Sequence, residues 1–145
     1  MAFDFSFDFS NRTVYIKASV VIDLSSSFEA MKTLLSDDQF SEDMGILIDI
    51  RDVDYAPSLA EVFNILQSPL WRAIVGGGHR IAVVAGKPVQ FGMTNVLARR
   101  SGEAAKIEPF YRLDEAARWL SSGHLDEVEI GRHLAKGDVV LPNTR

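Results

Sequence analysis

Apolar and polar residues alternate strictly at the start of the chain: Phe3, Phe5, Phe7 and Phe9 are interleaved with Asp4, Ser6, Asp8 and Ser10. A period of two places the four rings on one face of a strand, and a half-buried strand needs such a face for its core. Asn11-Arg12 supply a turn, and Thr13 to Val21 alternates again through Val14, Ile16, Ala18 and Val20. The two runs predict a β-hairpin at a sheet edge. Ser26 and Glu29 have capping-box spacing, and Phe28, Met31, Leu34 and Leu35 then share one helical stripe, ended by Asp37-Asp38. Ile46 to Ile50 is apolar on both faces, as a central parallel strand is.

The pattern then returns to helical spacing. Ser58 and Glu61 spell a second capping box, with Leu59, Val62, Phe63 and Leu66 following at i, i+3, i+4 and i+7. Pro69 interrupts, and Leu70, Trp71, Ile74 and Val75 carry a further turn or two before Gly76-Gly77-Gly78 closes the helix. Arg80 to Ala85 is another buried strand. Gly86-Lys87-Pro88 turns into a helix bearing Phe91, Met93, Val96 and Leu97. Ile107 to Tyr111 is a short strand whose Pro109 favours a sheet edge. Leu113 to Leu120 is the last clear helix, with Ala116, Trp119 and Leu120 inward. Alternation of this kind predicts an α/β fold: an open mixed sheet of four or five strands, largely parallel, with packed helices and an N-terminal β-hairpin. Residues 1–121 read as one domain. Residues 122–145, with a weak amphipathic stretch (Leu125, Val128, Leu134) and a strand-like Asp138 to Leu141, read as an extension, either an oligomer-forming element or a free tail.

Composition narrows the chemistry. With 145 residues the chain can build a proper core, and its net charge of −5 opposes a nucleic-acid backbone. The densest basic spot, Arg99-Arg100, is read as a solvated helix end. There is no cysteine, which removes disulfides, thiolate nucleophiles and sulfur-ligated metals and suits a cytoplasmic location. The N-terminal MAFDFSFDFS lacks the basic and apolar regions of a signal peptide, and no apolar run is long enough to span a bilayer.

GILIDIRDVDYAPS, residues 45–58, raises the question of chemistry most directly. Asp49, Asp52 and Asp54 could offer hard oxygen ligands to Mg²⁺ or Ca²⁺, but the spacing fits no EF-hand loop. The first reading is a turn whose aspartates bond backbone N–H groups; a partner or ligand contact is the alternative, with Asp49 at a strand's carboxyl end facing the usual crevice. Ser58 is read as an N-cap, and a phosphate there would meet three nearby aspartates. Gly76-Gly77-Gly78-His79 follows a helix rather than a strand, the wrong side for a phosphate loop. His124 and His133 fit no zinc spacing, and no nucleophile elbow or metalloprotease pair is present. No cofactor is expected.

Three stretches together, ILIDIRDVDYAPSLAEVF, RIAVVAGKP and PFYRLDEAARWL, resemble the SpoIIAA-like family, a relative of STAS domains. Its final helix pattern, F-x-x-x-x-E-A-x-x-W-L, is met by Phe110, Glu115, Ala116, Trp119 and Leu120, and the resemblance spans roughly residues 13–121. It implies a non-enzymatic interaction or regulatory module acting on an unknown protein partner. In the anti-sigma-factor antagonists of that fold, a serine at a helix start is phosphorylated; Asp49, Val53 and Ser58 fall on the matching positions. Pro57 and Leu59 replace its flanking residues and Ala60 its glycine, so the Asp-Ser-Ser-Gly signature is absent. The candidate partner or switch loop is therefore Asp49, Asp52, Asp54, Tyr55 and Ser58. The resemblance extends in topology to Sec14-type lipid-binding domains, which makes an apolar-ligand or lipid carrier the second reading, with Phe63, Leu66, Leu70, Trp71 and Ile74 around the Pro69 break as the candidate pocket. A hydrolase or isomerase using Asp49 and a distant base is the third. A homodimer is expected, formed by the Phe-rich edge and the tail, because exposed strand edges need covering.

Overall fold

The computed structural model describes residues 2–19 and 22–122. Their order is β1 (Phe3–Asp8), β2 (Thr13–Ala18), α1 (Leu24–Ser36), β3 (Gly45–Asp49), α2 (Leu59–Gln67), α3 (Pro69–Gly76), β4 (Arg80–Val84), α4 (Pro88–Arg100), β5 (Lys106–Phe110) and α5 (Leu113–Ser122). One five-stranded sheet runs β1-β2-β3-β4-β5; β1 is antiparallel to β2 and every other pair is parallel. This is the open mixed sheet that the strand and helix alternation predicts. The predicted end of the second strand at residues 20–21, and the extension beyond Ser122, lie outside the described residues.

The strand order explains the layering. Strands β2 to β5 follow one another in space as in sequence. Right-handed crossovers between them therefore fall on one face, which receives α1, α2, α3 and α4. The packing agrees: Leu34, Ile65, Trp71 and Ile74 share a buried cluster with Ile16, Ile46 and other strand residues. On the opposite face Leu47, Ala82 and Val84 meet Ala116, Ala117 and Leu120 of α5. Alternation along β3 does this sorting, because Ile46 and Ile48 point one way and Leu47 and Asp49 the other. Fully burying a side chain such as Leu120 contributes about 2 kcal/mol.

The element ends have identifiable causes. The first helix starts earlier than the Ser26–Glu29 spacing predicts. Asp23 is the N-cap, accepting from Ser26 N at 2.8 Å, while the Ser26 hydroxyl accepts from Asp23 N at 2.9 Å. Two capping spellings overlap here, and the earlier one adds Leu24 to the core edge. The Ser58–Glu61 box forms as spelled, with Ser58 Oγ accepting from Glu61 N at 3.2 Å and Glu61 Oε1 accepting from Ser58 N at 3.0 Å. Pro69 sits in the first turn of α3, where its missing N–H costs nothing. Gly78, at φ +77°, takes the left-handed conformation between α3 and β4.

Four predicted faces change. Phe3, Phe5 and Phe7 pack on the core, but Phe9 lies past the strand end and is 58 % exposed, stacked on Phe7. On α2 the buried pair is Val62 and Ile65, whereas Leu59 and Phe63 point outward. That helix carries more apolar residues than one face can hold, and its entry from the β3 loop selects the phase. On α4 the buried residues are Gln90 and Thr94, with Leu97 packed beside the core, so the inward face is partly polar. Trp119 is only partly buried, while Ala117 is fully buried.

Candidate functional site

The loop after β3 does not gather its acidic side chains. Asp49 is buried on the α5 side of the sheet; its Oδ1 accepts from Arg51 N and Nε at 3.0 Å, and its Oδ2 accepts from Arg51 Nη2 at 2.9 Å. Lys17, its register partner on β2, lies 3.6 Å away. Burial pushes the Asp49 carboxyl up, but the Arg51 hydrogen bonds and the charges of Arg51 and Lys17 outweigh it and hold it below the usual carboxylate range. Asp52 pairs with Lys17 at 3.0 Å on the surface. Asp54 pairs with Lys87, whose hydrogen bond and charge hold the Asp54 carboxyl below the usual carboxylate range. Each aspartate thus has its own cation, and among the described residues no three His, Asp or Glu side chains converge on a point that could hold a metal ion. The crevice at a reversal of strand order, expected in front of Asp49, does not arise, because the order β2 to β5 never reverses.

Tyr55 and Pro57 turn the other way, onto the helix-covered face. There they border an apolar cleft of about 170 Å³. Its floor is the sheet: Ile16, Ile46, Ile48, Ile81 and Ile107. Its walls are Ala30 and Met31 of α1, Ile65 of α2, Trp71 and Ile74 of α3, and Leu97 of α4. The geometry of α1 leaves it open. That helix buries only Leu34, near its C-terminal end, where it rests on α3. Its N-terminal half stands off the sheet, so Ser27, Ala30 and Met31 remain partly exposed, and so does Ile48 in the middle strand.

The cleft has few polar atoms, and they are engaged. Ser27 Oγ donates to Asp23 O at 2.9 Å, Tyr55 Oη to Glu61 Oε2 at 3.2 Å, Trp71 Nε1 to Ser101 Oγ at 3.1 Å, and Thr94 Oγ1 to Gln90 O at 2.9 Å. Burial, then the neighbouring Glu61 and Asp23 carboxylates, push the Tyr55 phenol up to about 12. Among the described residues no charged side chain lines the cleft.

Of the pocket residues expected around the Pro69 break, Trp71 and Ile74 line the cleft. Leu66 packs against the buried core without lining the cleft, Leu70 is partly buried elsewhere, and Phe63 lies outside with the Arg100 guanidinium 5.2 Å from its ring centroid. Of the loop residues, Tyr55 lines the cleft, Ser58 caps α2, and Asp49, Asp52 and Asp54 take other directions. Ile48, Ile50 and Met31 also line the cleft, although their sequence pattern marks them only as apolar strand and helix positions.

Sequence reasoning missed Gln90. This side chain is 1 % exposed; its Oε1 accepts from Gly86 N at 2.8 Å and Lys87 N at 3.2 Å, and its Nε2 points at Val53 O at 2.7 Å, with Tyr55 O and Ile50 O near by. Gln90 therefore ties the β3–α2 loop to the β4–α4 turn and sets where Tyr55 stands. A glutamine three residues past Lys87 was its sequence signal, because a helix start without a Ser, Thr, Asp or Asn cap needs another acceptor.

His79 completes a separate structural feature: its Nδ1 meets Met44 O at 2.7 Å and its ring stacks on Phe40 at 4.4 Å, so Gly76-Gly77-Gly78-His79 is a connector packed into the fold. Among the described residues no helix is long and apolar enough to cross a membrane. Compared with protein-family models, with curated proteins and with solved structures, the chain gives no match.

Proposed function

We propose that this protein binds a small apolar molecule in the cleft between α1, α3 and the sheet, and does so as a binding module rather than an enzyme. The observation that carries this reading is the open, aliphatic cleft whose polar side chains already hold internal partners. Such a surface gains by covering apolar area, and among the described residues it offers a substrate no free nucleophile or base. Native mass spectrometry of freshly purified protein tests it. A bound apolar mass is expected in the wild type and lost in Ala30→Phe, which fills the cleft from α1. Repeated blanks, together with no shift in melting temperature on adding 1-octanol, sink the reading.

A second reading, regulation through a protein partner, is favoured by Leu59 and Phe63, which are 57 % and 45 % exposed on α2 directly after the Ser58 cap. It is the function that the STAS-like resemblance implies, with the loop from Asp52 to Ser58 as the contact and β1, a sheet edge, as the dimer element. The absence of cysteine suits a cytoplasmic setting for either reading. Sedimentation of the intact chain reads the dimer directly; a monomer at all concentrations removes that part.

A further inference from the structure

Two helices begin at the mouth of the cleft. Ser27, in the first turn of α1, and Pro57, just before the Ser58 cap of α2, both line it. Helix N-termini carry roughly half a positive charge each and would by themselves draw an anionic headgroup. Here each start carries a full carboxylate. Asp23 is the N-cap of α1, and its backbone oxygen accepts from the lining hydroxyl of Ser27. Glu61 closes the α2 box and accepts from the lining hydroxyl of Tyr55. Both carboxylates act on the Tyr55 phenol, so both fields reach the lining. A whole negative charge outweighs the half-charge of the helix end it caps.

Volume sets the other limit. A sealed apolar cavity of about 150 Å³ takes a benzene ring, so 170 Å³ holds on the order of six to ten non-hydrogen atoms, and anything longer must extend past its partly exposed lining, which includes Tyr55 and Ser27. Resting on the apolar-ligand reading above, we infer that Asp23 and Glu61 are specificity-determining residues: the cleft takes uncharged molecules the size of one ring or a short chain, and the two capping carboxylates turn away amphiphiles whose head is anionic.

Both positions can lose their charge without losing their caps. Asn is as good an N-cap as Asp, and Gln completes a capping box as Glu does. Calorimetric titration at pH 7.5 and low salt would compare 1-octanol with octanoate in the wild type and in Asp23→Asn/Glu61→Gln. The expected result is a wild type that prefers octanol by about tenfold and a double variant in which octanoate closes most of that gap while octanol binds as before. Octanoate binding as tightly as octanol in the wild type overturns the inference, and so does a preference that the double variant leaves unchanged; the apolar-ligand reading survives either result. Binding of neither probe overturns the cleft reading itself, and the charge filter with it.

Discussion

On the α5 side of the sheet Leu47, Ala82 and Val84 meet Ala116, Ala117 and Leu120, and each of these is at most 1 % exposed. On the other side four helices cover the same strands and still leave a cleft of about 170 Å³. Among the described residues the closed face has one helix and the open face has four, so helix number does not decide closure. Side-chain size at the contact does. Alanines on both α5 and β4 let backbones approach, and a helix that seats on small residues leaves no gap. Isoleucines on every floor strand hold α1 away, and Leu34 near its far end is the only residue of α1 that is fully buried. The proposed ligand cleft lies on the face that packing has not finished.

The comparison breaks most directly with matched truncations. Leu120→Ala removes a fully buried side chain from the closed face and is expected to cost about 2–5 kcal/mol, since its neighbours cannot collapse far. Met31→Ala, at the partly exposed wall of the cleft, should cost less than about 1 kcal/mol, because its side chain already borders space. Urea unfolding of both variants measures the difference. Equal costs would mean that the cleft face is as tightly packed as the other, and the contrast between the faces would fail.

Gln90→Ala ranks second. It leaves the Gly86 and Lys87 N–H groups and the Val53 carbonyl without their buried partner, a loss of roughly 2–3 kcal/mol. The effect should be local as well as global. Amide exchange in residues 50–57 should accelerate more than in β4 or α5, because Gln90 fastens that loop and the closed face does not depend on it. Uniform acceleration would show that the loop has no separate hold.

How much of this could be read from the residues follows from how local each signal is. The strands β3 and β4 were legible because a strand buried on both faces is apolar throughout, and Pro69 and Gly78 act on their own backbone. Pro109 marked β5 as an edge for the same reason. The phase of α2 was not legible: Leu59, Val62, Phe63, Ile65 and Leu66 allow two stripes, and only the entry from Tyr55 chooses between them. Nor was the cap of α1, where Asp23–Ser26 and Ser26–Glu29 are overlapping spellings. The cleft was legible least, since it is set by how far α1 stands from strands distant in sequence. Trp71 and Ile74 were named for the Pro69 break beside them, whereas Ile48 and Met31 carry no local mark that separates a lining residue from a packed one.

The smallest expected effect concerns the loop itself and uses pH. Asp49 belongs to the closed face through its Arg51 and Lys17 contacts, while Tyr55, six residues on, belongs to the cleft. The folded state holds the Asp49 carboxyl below its ordinary value, net of the burial that opposes this. A depressed carboxyl contributes stability that is fully present above the ordinary carboxylate range and is lost as pH falls through the folded value. Asp49→Asn should therefore cost about 1 kcal/mol or less at neutral pH, the Arg51 partner being largely solvated, and should flatten the acid side of the stability curve. Octanol binding should not change, because no part of Asp49 reaches the cleft lining. Melting temperatures from pH 3 to 7 test the first expectation and titration with 1-octanol the second; a weaker octanol complex in Asp49→Asn would show that the two faces communicate through the loop, and the separation drawn between them would have to be given up.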